Sequence, residues 1–579
     1  MIDKGRLMPR HGFLLWAALF VLAWLGATYL VHFVLDRTYT VTHIFFQKQD
    51  CYVLTAAVPF LAFLAWPRFT ARHLPGGPSA ALVCGYMALA VIVTWAGHYL
   101  VFGGYSLSRD EQMAQFATFY LREGMLGMPV PPEWREYVRG INPIFMSAFG
   151  GHEAWISFYL PVHSAFRALV SFFADPELTS PLFLAVGFGA LWHIARKLFP
   201  GRPDAVLVTL LLAFSSTQLL VMSMTAYAMT AHFALNMVWL ALFLRNDWKG
   251  HFGAAVVAFL AIGLHQLQFH PLFAAGFLFW IVLQRRWGLA AFYAVVYALI
   301  ILFWGKVYPA ILHDVYQVKP LAGGKPSNLA LRLKILIFSR LGSDLLPLLN
   351  LSRFMAWNNV LLLPLAALGV LQLRWRTMFA RDASIVLPLT ITCILGLLLL
   401  VYQGHGWGYR YLHGLIGAFC LLGGFGWMRL SRPESPLSLN PIWLSVGFAV
   451  LASAFLTVKA HDFVKPYARA YHMAKSIDAD IVLVDTRGGV FIQDIVRVED
   501  GVLSRPILMD LGFVNKQGLS ALCRKYDVRI FDRTHFLPLG VPPAKSGGRL
   551  SRAREARRDY LKDIGCGQKP LRFTRTDWR

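Results

Sequence analysis

Two long stretches contain no Asp, Glu, Lys or Arg: Leu14 to Leu35 and Ala80 to Phe102. A run of about 20 apolar residues spans the hydrocarbon core as a helix, because a helix satisfies its own backbone groups in lipid. Comparable runs recur as far as residue 458, and only 15% of the 579 residues are charged, against about 25% in ordinary soluble chains. About thirteen spans are expected on this basis. They lie near residues 14–35, 51–66, 80–102, 178–195, 205–224, 226–244, 252–266, 270–284, 289–305, 358–373, 383–402, 411–427 and 442–458. The first is too long for a signal-peptide core and no small-residue cleavage site follows it, so it is expected to stay in the mature protein.

The formal net charge is +24, which in a soluble protein would suggest nucleic acid. Here the Lys and Arg residues cluster in short loops beside the apolar runs, where they set orientation. No basic helix is interleaved with aromatics, so nucleic acid is not an expected partner. Lys4, Arg6 and Arg10 precede the first span, and Arg68 and Arg72 follow the second. Arg196, Lys197 and Arg202, then Arg245 and Lys249, Arg285 and Arg286, Arg374, Arg376 and Arg381, and Arg429 and Arg432 complete the set. All fall on one side of a thirteen-span arrangement, which assigns that side to the cytoplasm and the C-terminus to the periplasm. Residues 252–284 form one span or two. One helix of that length would be about 50 Å long, too long for a core of about 30 Å. A hairpin of two short helices therefore fits better.

This topology places 103–177, 306–357, 403–410 and the tail from His461 outside. Residues 1–459 are the membrane part, and 460–579 read as a small α/β domain with a basic end. Ile481 to Asp485 and Arg529 to Asp532 look like strands, with a helix near Lys516 to Tyr526 between them. Cys51, Cys84, Cys393 and Cys420 fall in or near apolar runs, whereas Cys523 and Cys566 are candidates for pairing.

Several polar clusters could carry chemistry. Ser108-Arg109-Asp110-Glu111 opens an amphipathic pattern through Met113, Phe116, Ala117, Tyr120 and Leu121. Ser108 with Glu111 matches a capping box, which accounts for Glu111 structurally and leaves Asp110 free for another role. His152, Glu153, Tyr159, Pro161 and His163 precede a second amphipathic helix, expected over about Val162 to Phe173. Single histidines in such aromatic-rich segments are expected to be packed or interfacial rather than catalytic. His265-Gln266-Leu267-Gln268-Phe269-His270-Pro271 tips the expected hairpin. Its polar groups either satisfy one another or line a cavity, since polar residues at membrane depth usually face one. The densest cluster is Gln403 to His413, with Gly404, His405, Gly406, Trp407, Gly408, Tyr409 and Arg410. It reads either as an interfacial aromatic belt or as a phosphate site. In the second reading a planar Arg410 fork engages the oxygens, assisted by His405, Tyr409 and Lys306. No HExxH, Walker A, GxSxG or Asp-rich metal signature occurs, so no cofactor is indicated and a divalent metal has no motif behind it.

An acid pair opening an amphipathic helix in the first large external loop resembles the GT-C class of membrane glycosyltransferases. The nearest likeness is to the bacterial branch related to protein O-mannosyltransferases and aminoarabinose transferases. The resemblance rests on Ser108-Arg109-Asp110-Glu111-Gln112, the His265 to Pro271 tip and Gly404 to Tyr411, and covers about residues 80–430. It implies an all-α polytopic fold and a hexosyl or pentosyl transferase of the bacterial inner membrane. It also implies a polyprenyl-phosphate-linked sugar as donor, membrane lipid around it, and a hydroxyl of a lipid, glycan or protein as acceptor. Asp110, with Glu111 beside it, matches the catalytic loop acid. Glu153 and Glu133 are the candidates for a second loop acid. His265, Gln268, His270, Glu153 and His163 would line the cavity. The residues fit that chemistry in their own right: a base takes the acceptor proton, and cations meet the charge growing on the departing phosphate. The rival readings are a transporter or flippase of lipid-linked sugar and a non-catalytic assembly or sensor protein.

Overall fold

The structure, a computed structural model, describes residues 10–30, 32–33, 41–66, 70–142, 153–316, 346–373, 378–400, 405–498, 503–544 and 549–575. His152, Gln403, Gly404, the basic residues Lys4, Arg6, Arg68, Arg374 and Arg376, and the middle of the 306–357 segment lie outside these residues.

The protein is an all-α polytopic membrane protein with a few short strands. Every expected span coincides with helix. Long examples are Arg10–Leu30, Ala80–Phe102, Thr179–Leu198 and Asn440–Lys475. Among the described residues six helices are long and apolar enough to cross a membrane unaided. Pro203–Phe214 and Thr217–Ser223, bent by 50° at Ser215-Ser216, make a seventh. The remainder are short. Met229–Phe243, Trp248–Ile262, Phe269–Leu283 and Val386–Leu399 each run 14 or 15 residues, about 21–23 Å. Backbone reversals cut two of them off before the basic loops: Asn246 and Arg285 adopt φ of 60° and 57°, a region uncommon outside glycine. The 252–284 region is indeed a hairpin, Trp248–Ile262 followed by Phe269–Leu283.

The centre of the bundle is the Ile416–Leu430 helix, in which all but a few residues are buried. It lies against Leu362–Val370 with backbones touching: a Cβ on Gly426 would stand 1.9 Å from the Leu365 carbonyl oxygen. Small residues permit that approach in membrane helices. The packing fixes the Arg410–Leu415 turn that enters Ile416–Leu430.

The segments expected to lie outside contain the helices Arg109–Arg122, Val162–Ser171 and Leu346–Ala356. The first two are stapled through Glu177, which accepts from Arg167 Nη2 (2.6 Å) and Gln115 Nε2 (3.2 Å). Asn440–Lys475 runs 36 residues, about 54 Å, and so carries the chain well past the expected span into the C-terminal segment. There β1 (Ile481–Val484), β2 (Ile507–Asp510) and β3 (Val528–Phe531) form a parallel sheet in the order β2-β1-β3. Helix Lys516–Lys525 lies between β2 and β3, and Cys523 is bonded to Cys566. An aspartate stands at the carboxyl end of each strand. Arg558 pairs with Asp485 and Asp532, and Arg554 with Asp510, which straps the Arg549–Asp563 helix across the sheet. One face of the sheet joins the core of the Arg109–Arg122 helix, where Ile481, Leu483 and Met509 meet Met113, Phe116 and Tyr120. The opposite face, with Val482, Leu508 and Phe531, joins the core of the helical bundle.

Candidate active site

Ser108 caps the Arg109–Arg122 helix, and the capping box is complete. The Glu111 amide donates to Ser108 Oγ (3.4 Å), and the Ser108 amide donates to Glu111 Oε2 (3.1 Å). Glu111 is buried, and burial pushes its carboxyl up to about 7 despite those bonds from Ser108. With its neighbour committed to the cap, Asp110 points the other way. Its Oδ2 accepts from Arg410 Nη1 and its Oδ1 from the Tyr159 hydroxyl. Burial alone would raise the Asp110 carboxyl. The Arg410 guanidinium outweighs it, helped by the Tyr159 hydroxyl, and holds the group below the usual carboxylate range. The Tyr159 ring in turn stacks on His265, with centroids 3.9 Å apart.

Arg410 begins the turn into the central helix, and its guanidinium lies 4.9 Å from the Tyr227 ring and 5.1 Å from the Tyr411 ring. Two glycines shape the approach. Gly406 and Gly408 adopt φ of 134° and 65°, conformations that a side chain disfavours. Space excludes a side chain as well: a Cβ on Gly406 would stand 2.6 Å from Arg410 Cδ, and one on Gly408 2.4 Å from Gln218 Oε1. Gln218 clips the loop from the bent helix pair. Its Nε2 donates to the Tyr409 carbonyl (2.8 Å) and its Oε1 accepts from the Tyr409 amide (3.1 Å). The Tyr409 hydroxyl donates to the Leu400 carbonyl (2.7 Å), so this residue anchors the loop.

A second buried cation joins the same loop. Arg353, from the Leu346–Ala356 helix, donates from Nη2 to the Gly406 carbonyl (2.6 Å). Its Nε lies 3.6 Å from Asp50 Oδ2, and both side chains are 0% exposed. Asp50 also accepts from Trp357 Nε1 (2.9 Å), and the Arg353 guanidinium sits 4.3 Å from the Phe45 ring. Arg353 Nε and Nη1 make no hydrogen bond among the described residues. Sequence reasoning passed over this pair. A lone arginine in a mostly apolar stretch was the available signal, and its partner lies some 300 positions away.

The other expected residues divide. His405 is about 10% exposed, and neither ring nitrogen has a hydrogen-bond partner among the described residues. Its Nε2 stands 4.0 Å from Asp494 Oδ2, and its ring lies edge-on to Phe491 at 4.1 Å. His265 is buried with neither nitrogen hydrogen-bonded among the described residues. His270 is fully satisfied: it bonds Asn236 Oδ1 (2.8 Å) and the Tyr297 hydroxyl (2.9 Å), while Asn236 Nδ2 donates to the Gly414 carbonyl (2.9 Å). Gln268 Nε2 donates to Gln266 Oε1 (2.6 Å). His163 is packed, its Nε2 on the Ala226 carbonyl at 3.1 Å. Glu153, half exposed, pairs with Arg135 at 2.9 Å. Lys306 is exposed and has no hydrogen-bond or ion-pair partner among the described residues. No group of three or more His, Cys, Asp or Glu side chains among the described residues is placed to hold a metal ion.

The chain is similar to ArnT from Cupriavidus metallidurans bound to undecaprenyl phosphate. The two are 13% identical, over 73% of this chain and 86% of that one, with a TM-score of 0.46. The apo state of the same ArnT gives 13% identity, 80% and 95% coverage and a TM-score of 0.44. No protein-family model matches the chain, and no curated protein does.

Proposed function

We propose that this protein is a GT-C-type glycosyltransferase of a bacterial inner membrane. It moves a sugar from a polyprenyl-phosphate donor to a hydroxyl acceptor at the outer face. The observation that carries the reading is the direct contact between Asp110, on an external helix, and Arg410, at the mouth of the central helix. This contact joins a base and a phosphate ligand in one site.

In the proposed reaction the bond between the sugar's anomeric carbon and the phosphate oxygen breaks, and the acceptor oxygen takes that carbon. The acceptor proton passes to Asp110. The charge left on the phosphate is met by Arg410, with Arg353 behind it through Gly406. The pairing of Asp110 with Arg410 adds a control. While the guanidinium holds the carboxylate, Asp110 is a poor base. A donor phosphate that takes Arg410 leaves Asp110 buried without its counter-charge, which raises its proton affinity. Donor binding thus switches on the base, which protects the reactive sugar from premature attack.

The test is turnover by purified protein of a lipid-linked sugar carrying a label in the sugar. The reading expects labelled sugar on an acceptor and undecaprenyl phosphate, the lipid bound in the ArnT structure, as the released product. Movement of intact donor across a vesicle without release of the phosphate lipid would replace it with the flippase reading.

A further inference from the structure

The C-terminal segment supplies a turn that touches both halves of the site. The turn runs through the short 3-10 helix Ile492–Ile495, entered by Phe491 at φ 58°, ψ 7°. A bulky non-glycine residue seldom adopts that left-handed conformation. From this turn a set of buried contacts reaches the start of the Asp110 helix. Arg109 donates from Nε to Asp494 Oδ1 (3.2 Å), from Nη2 to the Gln493 carbonyl (2.5 Å) and from Nη1 to Asn142 Oδ1 (3.4 Å). Gln112 Nε2 donates to the Asp494 carbonyl (2.8 Å). Arg497 Nη1 donates to the Ser106 carbonyl (2.6 Å), its guanidinium 4.2 Å from the rings of both Tyr105 and Tyr471. These contacts bracket Asp110 on both sides along the chain. The same turn meets the glycine loop, through Phe491 and Asp494 against His405.

The shared apolar core of Met113, Phe116, Ile481 and Leu483 already attaches the sheet to the helix. Attachment therefore does not explain a buried charged fork beside it. Buried ion pairs are a poor way to gain stability and a good way to fix register, because a planar guanidinium dictates direction as well as distance.

We propose that residues 491–497 form a clamp that sets the Asp110–Arg410 geometry, with Asp494 as its positioning residue, so that the C-terminal segment is part of the catalytic site. The inference rests on the reading of Asp110 as base. The Asp110 helix and the Arg410 loop are 300 positions apart in the chain. Holding them in register matters, since a displacement of about 1 Å can cost about 10²-fold in rate.

The experiment compares full-length wild type, Asp494→Ala and Asp494→Asn in lipid nanodiscs, by transfer kinetics and by hydrogen exchange. Asp494→Ala is expected to lower kcat by about 10- to 100-fold while donor KM changes by about two-fold or less. Exchange should quicken at the amides of Gln112 to Phe116 and stay at the wild-type level in β1. Asp494→Asn, which keeps size and one acceptor for Arg109, should show the same pattern more mildly, and it decides the matter if the alanine variant does not fold. An unchanged kcat overturns the clamp, as does unchanged protection at Gln112 to Phe116. Loss of protection spread evenly over helix and sheet also overturns it, because that is general docking. If the wild type transfers no sugar, the glycosyltransferase reading falls, and the exchange comparison alone decides whether the clamp exists.

Discussion

Replacing Asp110 by Asn is expected to move binding and chemistry in opposite directions. A donor phosphate that takes Arg410 must displace the Asp110 carboxylate already bonded to Nη1. A hydrogen bond between charged groups in a buried site contributes roughly 1.5–3 kcal/mol. Asn retains a neutral acceptor, so part of that remains, and the competition weakens by about 1.4 kcal/mol, or about ten-fold in affinity. The variant should therefore bind undecaprenyl phosphate about ten-fold more tightly than wild type. Turnover should fall by about 10²–10⁴-fold, the usual contribution of a general base. The helix should survive, because Ser108 and Glu111 form the cap without Asp110. The assays are calorimetric titration of undecaprenyl phosphate into protein in nanodiscs, labelled-sugar turnover, and a melting curve. Equal or weaker binding would show that Asp110 and the phosphate do not compete for Arg410. Turnover within about ten-fold of wild type would remove Asp110 as the base.

Arg353→Gln leaves Asp50 buried and unpaired and should cost about 3–5 kcal/mol of stability. Adding Asp50→Asn should restore most of that stability but not donor affinity, and wild-type affinity in the double variant would exclude Arg353 from the phosphate site. Gly406→Ala forces a Cβ against Arg410 Cδ at a φ of 134° and should weaken undecaprenyl phosphate binding by about ten-fold or more, given a local strain of about 1–3 kcal/mol. Gly201→Ala, with φ 69° but open space around it, is the control and should leave binding alone. Glu111 has a carboxyl raised to about 7 from an ordinary 4.5, so its contribution to stability is full in acid and is lost as pH rises through about 7. The melting temperature of Glu111→Gln should accordingly match wild type near pH 5 and exceed it near pH 8, and a deficit at pH 8 would contradict the assigned burial effect.

Features written in contiguous residues were legible in the sequence. The apolar runs gave the helices, and Ser108 with Glu111 gave the capping box, because both signals repeat at helical spacing. The length of 252–284 set against bilayer thickness gave the hairpin. Strands β1 and β3 were visible to within a residue, whereas β2 was missed. Both β1 and β2 are four residues long and buried throughout, but β1 reads Ile-Val-Leu-Val with three β-branched residues, whereas Ile-Leu-Met-Asp has one and so gives a weak strand signal. At the hairpin tip His270 is satisfied by Asn236 and Tyr297, while the His265 nitrogens have no hydrogen-bond partner among the described residues. The sequence also put Tyr409 and Arg410 in one phosphate group, yet Tyr409 turns its hydroxyl to Leu400. Adjacent residues on an irregular turn point in different directions, and periodicity cannot say which faces the ligand. The contacts of Asp50 with Arg353, and of Asp494 with Arg109, depend on tertiary packing alone.

Three buried Arg–Asp pairs, Arg353–Asp50, Arg410–Asp110 and Arg109–Asp494, join segments that are remote in sequence. They differ in how firmly each arginine is held. Among the described residues Arg109 makes three hydrogen bonds, two of them to side chains and one to backbone. Among the same residues Arg353 makes one, to a carbonyl, and is otherwise 3.6 Å from its carboxylate. Arg410 makes one among them, to Asp110, and its Nε has none. A guanidinium offers five donors, so Arg410 and Arg353 carry most of the unused capacity and Arg109 little. An incoming phosphate gains most where donors are idle and where one bond to a competing carboxylate is all that must be exchanged. Under the proposed function, that ranks Arg410 ahead of Arg353 as a phosphate ligand and gives Arg109 the task of holding the helix that carries Asp110.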